Sequence, residues 1–234
     1  MQSETIKELS STPIRPLLWR YFWPSFIGVM ANSLYNIIDR IFIGQAVGAE
    51  ALSGVTAVFP IMIIMTAFGM LIGIGASVQV SLSLGRKDME KAQRILGNAA
   101  VLVLLVSAVL TIAGFLMKGP MLRLFGASDA TIGYADDYLN IILLGSIMHH
   151  FGFSLNGIIL AEGNARIAMY SMLISAGINV PLDALFILRW NMGVKGAAIA
   201  TVISMSLLSV WVLFHFRGKR RVVPLRKKYL GIQP

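Results

Sequence analysis

Charge is missing from six long parts of this sequence, and that absence limits the folds open to the chain more than any other feature. Residues 21–38, 51–85, 95–117, 138–161, 167–182 and 196–216 contain no Asp, Glu, Lys or Arg. A helix crossing the hydrocarbon core of a bilayer needs about 20 mostly apolar residues at a rise of roughly 1.5 Å each. Strands of a membrane barrel would be shorter and would alternate in polarity, which these runs do not. Hydrophobic residues make up 56% of the chain and charged residues 13%, too little polar surface to cover a soluble globule. The expectation is an all-α membrane protein with six transmembrane helices, at about 16–43, 52–84, 93–117, 132–161, 166–188 and 195–217. Segment 1–15 precedes them, and a basic segment, 218–234, follows as a tail or linker.

The opening stretch MQSETIKELSSTPIRPLLWR is polar and then interfacial, with no apolar core leading to a small-residue cleavage site. The first run is therefore expected to be a retained span. The net charge of +9 raises the question of nucleic acid. Position answers it, because the basic residues cluster between the apolar runs and not along one amphipathic face. Lys7, Arg15, Arg20, Arg86, Lys87, Lys91, Arg94 and Arg166 fall on one side of the membrane. Arg217, Lys219, Arg220, Arg221, Arg226, Lys227 and Lys228 join them. The opposite side holds only Lys118, Arg123, Arg189 and Lys195, with Arg40 at the outer end of the first span. This bias predicts that both termini are cytoplasmic. Trp19, Tyr21, Trp23 and Trp190 suit interface anchors, and the basic tail suits contact with anionic lipid headgroups.

Against this apolar background the acids stand out. Asp39 lies near the end of the first run, and Asp183 interrupts the fifth with Asn179 one turn before it. An ionised carboxylate at that depth is costly unless it is paired, solvated in a cavity or protonated, so such residues mark ion or proton paths. Asn32, Tyr35, Asn36 and Asp39 follow offsets of three, four and seven, which puts them on one helix face. That face is either a structural seam or the wall of a wet cavity. The wall is favoured, since amides alone could form a seam without a carboxylate. Pro181, between Asn179 and Asp183, predicts a bent backbone there. Pro24, early in span one, marks either helix entry or a hinge. Carboxylates, an amide oxygen and the Thr201 hydroxyl are hard ligands, suited to Na⁺ or a shared proton and not to soft transition metals.

Other features carry less. His149 and His150 are adjacent and so diverge by about 100° on a helix, with no second ligand at a turn's spacing. Asp136 and Asp137 are expected to be solvated at the outer mouth, and Glu162, Gly163 and Asn164 to form a tight inner turn. With no cysteine there is no disulfide, thiolate metal site or thiol nucleophile. No phosphate-binding loop, dinucleotide fingerprint, zinc-protease motif or nucleophile elbow is present, and an enzyme is not expected.

The stretches NSLYNIIDRIFIGQAVGAEALSGVTAVFPI, SLGRKDMEKAQR, FGASDATIGYADDYLNI, GIILAEGNAR, INVPLDALFI and MGVKGAAIAT occur in that order after Pro24. In this the chain resembles the first half of the multidrug and toxic compound extrusion (MATE) family of cation-coupled antiporters. The resemblance implies one six-helix lobe of a two-lobe bundle, consistent with transporters built from repeats. It implies a secondary antiporter, or its N-lobe, in a bacterial inner (plasma) membrane. The exported solutes would be organic cations, drugs or other amphipathic molecules, exchanged for H⁺ or Na⁺, with no further cofactor. It matches Asp39 to the first-span acid, and Asn179, Asp183 and Thr201 to the ligands of the N-lobe cation site. Tyr138 resembles a nearby tyrosine, and Pro24 the site of a helix bend. Asn32, Tyr35 and Asn36 are then cavity-lining. The partners implied are the bilayer, the small-molecule substrate, and a second lobe or second copy of the chain. Two rivals remain: a lipid-linked saccharide flippase of the same superfamily, and a non-transporting half-lobe that binds a partner subunit. The flippase would need basic residues in its cavity, and here Lys and Arg are expected only at the ends and in loops.

Overall fold

The computed structural model describes residues 13–218 and 221–231. The expectations on residues 1–12, Lys219 and Arg220 lie outside the described residues. The described residues form six long helices: α1 (Ile14–Ala46), α2 (Ala49–Gly85), α3 (Met89–Leu124), α4 (Ile132–Ala161), α5 (Ala165–Asp183) and α6 (Gly193–Arg217). A π-helical stretch, Ala184–Arg189, continues α5, and a single 3-10 turn, Lys227–Tyr229, follows α6. All six helices are long and apolar enough to cross a membrane.

Several run beyond the uncharged stretches. The 37 residues of α2 span about 55 Å at the usual rise, well past a hydrocarbon core of about 30 Å. Helix α1 continues through Asp39 and Arg40 to Ala46, and α3 continues through Lys118, Pro120 and Arg123. Backbone hydrogen bonding does not stop at the edge of the hydrocarbon, and charged side chains there reach water or a partner. Lys118 Nζ lies 2.6 Å from Asp136 Oδ1, Arg123 pairs with Asp129 at 2.7 Å, and Lys195 with Asp137 at 3.2 Å. Asp136 and Asp137, expected to be solvated, are therefore also tied to neighbouring helices.

Short turns join the helices, and the tightest need a left-handed residue: Gly48 between α1 and α2 (φ 120°) and Gly163 between α4 and α5 (φ 91°). An even number of antiparallel helices brings Ile14 and Arg217 to one end of the bundle, here the terminal end. Asp39 and Asp183 lie towards the opposite, far end.

Helix α4 is the centre of the bundle, with its most extensive contacts to α2 and α6. Helix α1 packs along α5 and touches its sequence neighbour α2 only lightly, which leaves a cleft between α1 and α2. Close helix approach depends on small residues, as expected where lipid removes the hydrophobic drive between helices. A Cβ on Gly73 would stand 2.8 Å from Ser154 Cα, so α2 and α4 meet backbone to backbone there. Apolar cores fill both ends, one around Ile43, Leu139 and Leu143 and one around Leu96, Leu155 and Phe216.

The segment after α6 is not a free tail. Val222 and Val223 are buried in the terminal-end core, and Tyr229 lies directly over Gly97 on α3, leaving no room for a Cβ at that glycine. Arg226 and Lys228 point outwards. The chain is held at Glu162, in the α4–α5 turn. Its carboxylate accepts the Val223 N–H at 2.7 Å and the Val222 N–H at 3.4 Å, and lies 3.1 Å from His215 Nε2.

Candidate functional site

Four helices bring the sequence-selected oxygens together. The stripe on α1 supplies Tyr35 and Asp39, α4 supplies Tyr138, α5 supplies Asn179 and Asp183, and α6 supplies Thr201. All six are buried, Asn179 and Asp183 completely. Asp39 and Asp183 lie within electrostatic reach of each other and of the Tyr35 and Tyr138 hydroxyls, and Tyr138 interacts with the Thr201 side chain.

Hydrogen bonding sets this cluster apart. Asp39 Oδ1, both Asp183 oxygens and both polar atoms of the Asn179 amide are buried without a hydrogen-bond partner. Each such atom costs on the order of 1–3 kcal/mol. Other buried polar side chains in the bundle are provided for. Ser107 Oγ hydrogen-bonds His150 Nδ1 at 3.1 Å, Thr111 and Ser146 share a 2.7 Å bond, and Ser154 donates to the Gly69 carbonyl. Two further unpartnered atoms, Gln93 Oε1 and Asn164 Nδ2, belong to residues near the terminal end, away from this cluster. A proton or a hard cation fits a site built from two carboxylates, an amide and a hydroxyl, because each would satisfy oxygens that nothing else satisfies.

The backbone beside Asp183 is irregular. Pro181 has no N–H to give to the turn before it, and the helix passes into π-helical geometry from Ala184. Trp190 N bonds to the Leu185 carbonyl, a five-residue spacing. Such stretches occur often at functional sites. Sequence pattern predicts a bend at Pro181, but the π-helical form has no sequence signal.

The stripe on α1 divides in two. Asn32, Tyr35 and Asn36 line a cavity of about 520 Å³ bounded by α1, α2, α4 and α6. Asp39 is not in that lining; it is buried at the helix contact behind it, 5% exposed. Arg40 does line the cavity, with its guanidinium 4.3 Å above the Phe59 ring. The expectation that Lys and Arg occupy only ends and loops is corrected here. Helix α2 returns beside α1 and folds Arg40 over Phe59, a contact no linear pattern reveals. His149 also faces this cavity, beside Phe153, while His150 turns away to Ser107.

Pro24 sits on the terminal half of α1, which runs through it as one continuous helix. It borders a second cavity, of about 270 Å³, with Gly73, Ser77, Asn156 and Met172. Sequence reasoning missed Glu162 altogether. In the sequence it is a polar residue in a turn, and only the fold brings His215 and the post-α6 backbone to it.

Comparison with known proteins agrees with this architecture. The MatE family profile matches residues 24–185. "Multidrug export protein MepA" of Staphylococcus haemolyticus is 27% identical over 229 residues, covering 98% of this chain and 51% of that protein. The chain thus spans about half the length of the curated relatives it matches. Among solved structures, the MATE multidrug transporter DinF-BH in complex with rhodamine 6G is 44% identical over 91% of this chain and 48% of its own, with a TM-score of 0.87. A MATE structure described as the bent conformation is 30% identical over 96% of this chain and 50% of its own, also with a TM-score of 0.87.

Proposed function

This chain belongs to the MatE family of membrane transporters, and on that premise we propose that it forms the ion-coupling lobe of a secondary antiporter. It exports organic cations and drugs from the bacterial cytoplasm, across the plasma membrane, in exchange for H⁺ or Na⁺. Both termini are cytoplasmic, which puts Asp39 and Asp183 in the outer half. The observation that carries the reading is the set of five unpartnered polar atoms on Asp39, Asn179 and Asp183, all buried at one convergence of helices. A site with that need is relieved when a cation or proton arrives and restored when it leaves, so occupancy is coupled to conformation. Export of drugs by the MepA relative and the dye in the DinF-BH structure support the substrate class.

In this scheme Asp39 and Asp183 carry the coupling ion, Asn179 and Thr201 complete its ligands, and Tyr138 adjoins them. Loading the site changes how α1 meets α5 and α6. Pro24 lets the terminal half of α1 bend, and the cavity beside it provides the space. The bent conformation described for a MATE structure supports this motion. A second lobe, or a second copy of the chain, completes the cavity on its open side. In membrane vesicles holding the chain, an imposed pH or Na⁺ gradient should drive dye transport, and Asp39→Asn should abolish it with the protein level unchanged. Undiminished transport in that variant would rule the assignment out.

A further inference from the structure

We propose that Arg40 is a specificity residue of the cavity, selecting amphipathic substrates that carry an anionic group, a carboxylate or sulfonate, beside their aromatic or cationic body. The proposal rests on the antiporter reading above and sharpens its substrate class. Arg40 is the one Lys, Arg, Asp or Glu lining the 520 Å³ cavity. Its guanidinium is half-buried and held flat over Phe59 at 4.3 Å. Among the described residues it makes no hydrogen bond and no contact ion pair. Asp39, its sequence neighbour, feels its field, but that carboxylate is buried behind the wall and is absent from the lining. A solute entering the cavity meets the cation of this pair and not the acid.

The chemistry around it fits such a solute. A guanidinium offers five N–H donors in a planar fork that matches a carboxylate bidentately, and stacking on an aromatic ring presets its orientation. Asn36 and Thr66 add neutral hydrogen-bonding groups, while Phe59, Phe153 and Met62 provide apolar surface for an aromatic body. Separate walls then do separate tasks. The buried acids hold the coupling ion, and Arg40 reads the substrate. A zwitterion satisfies Arg40 without displacing that ion; a simple cation leaves the guanidinium unmatched.

Rhodamine 6G and the same dye with its ethyl ester hydrolysed to the free carboxylate differ only at the group in question. Their affinities for the purified chain can be read by fluorescence polarisation in maltoside detergent and in phospholipid nanodiscs. The expected result is about tenfold tighter binding of the carboxylate dye, the scale of one charge-assisted bidentate contact. Arg40→Gln should erase that preference, weakening the carboxylate dye about tenfold while the ester changes far less. Arg40→Lys, which keeps the charge but not the fork, should lose a few-fold for the carboxylate alone and decides the matter if the Gln variant does not fold. Equal binding of the two dyes, or equal weakening of both by Arg40→Lys, overturns the proposal and leaves the antiporter reading standing. A preference seen in detergent and lost in nanodiscs also overturns it, since lipid phosphate would then be the anion at Arg40. Saturable binding of neither dye overturns both readings.

Discussion

Glu162 and the pair Asp39 and Asp183 are all buried carboxylates in the same six-helix bundle, yet they are treated in opposite ways. Glu162 is 1% exposed and accepts two backbone N–H groups beside His215, so its charge has a fixed answer within the fold. Asp183 is 0% exposed and neither oxygen has a hydrogen-bond partner. Burial alone therefore says little about function. A satisfied acid fastens the chain, while an unsatisfied one keeps a free-energy cost that only an exchangeable species removes. The first kind is expected to fail by unfolding when it is altered, the second by loss of coupling.

The largest effect should fall on the unsatisfied pair. Asp183→Asn and Asp39→Asn are each expected to lower gradient-driven dye transport about 100-fold, the range over which a binding group that carries charge commonly acts. Thermal unfolding in detergent should stay level or rise, because an uncompensated buried carboxylate is removed. A large drop in unfolding temperature with transport per folded molecule unchanged would reverse the comparison.

The matching test at the other end is Glu162→Ala. It leaves His215 and two buried N–H groups without their acceptor, a loss of about 3 kcal/mol or more. The expected signature is a lower unfolding temperature and faster proteolysis after α6, with transport by the surviving folded protein retained. Gly97→Ala should act in the same direction and less strongly, about 1–2 kcal/mol, since a Cβ there displaces Tyr229 and loosens the same segment. Unaltered proteolysis in both variants would separate Glu162 from the role of a fastener.

These contrasts also mark what could be read from the sequence. The helices were legible because the absence of charge over a bilayer's thickness has few other meanings. The oxygens at 39, 179, 183 and 201 were legible because polar groups in apolar runs stand out, and the structure brings them to one place. Glu162 was not, since a carboxylate in a Gly-containing turn looks like an ordinary solvated loop residue until His215 arrives from 53 positions away. Nor was the place of Arg40, which depends on α2 returning along α1 so that Phe59 meets the guanidinium. Local pattern reports depth in the membrane; which helix faces which is decided by packing of small residues such as Gly73, with no periodic signature of its own.

The smallest effect gives the finest comparison, because it keeps residue type constant. Asn156 and Asn179 are both buried asparagines, 4% and 0% exposed. Asn156 donates to the Ala168 carbonyl at 3.3 Å and accepts from Ser171 at 2.7 Å, whereas neither polar atom of Asn179 has a partner. Asn156→Ala should cost about 1–2 kcal/mol, losing two bonds and stranding the Ser171 hydroxyl from one of its acceptors. Asn179→Ala loses no hydrogen bond and sheds two desolvated atoms, so its unfolding free energy should change by no more than about 0.5 kcal/mol after the small cavity is counted. Its effect should appear in ion affinity, as a few-fold increase in the H⁺ or Na⁺ concentration needed for half-maximal transport. Equal destabilisation by the two variants would mean that Asn179 is a packing residue, and that the far-end cluster is held together in the same way as the terminal end.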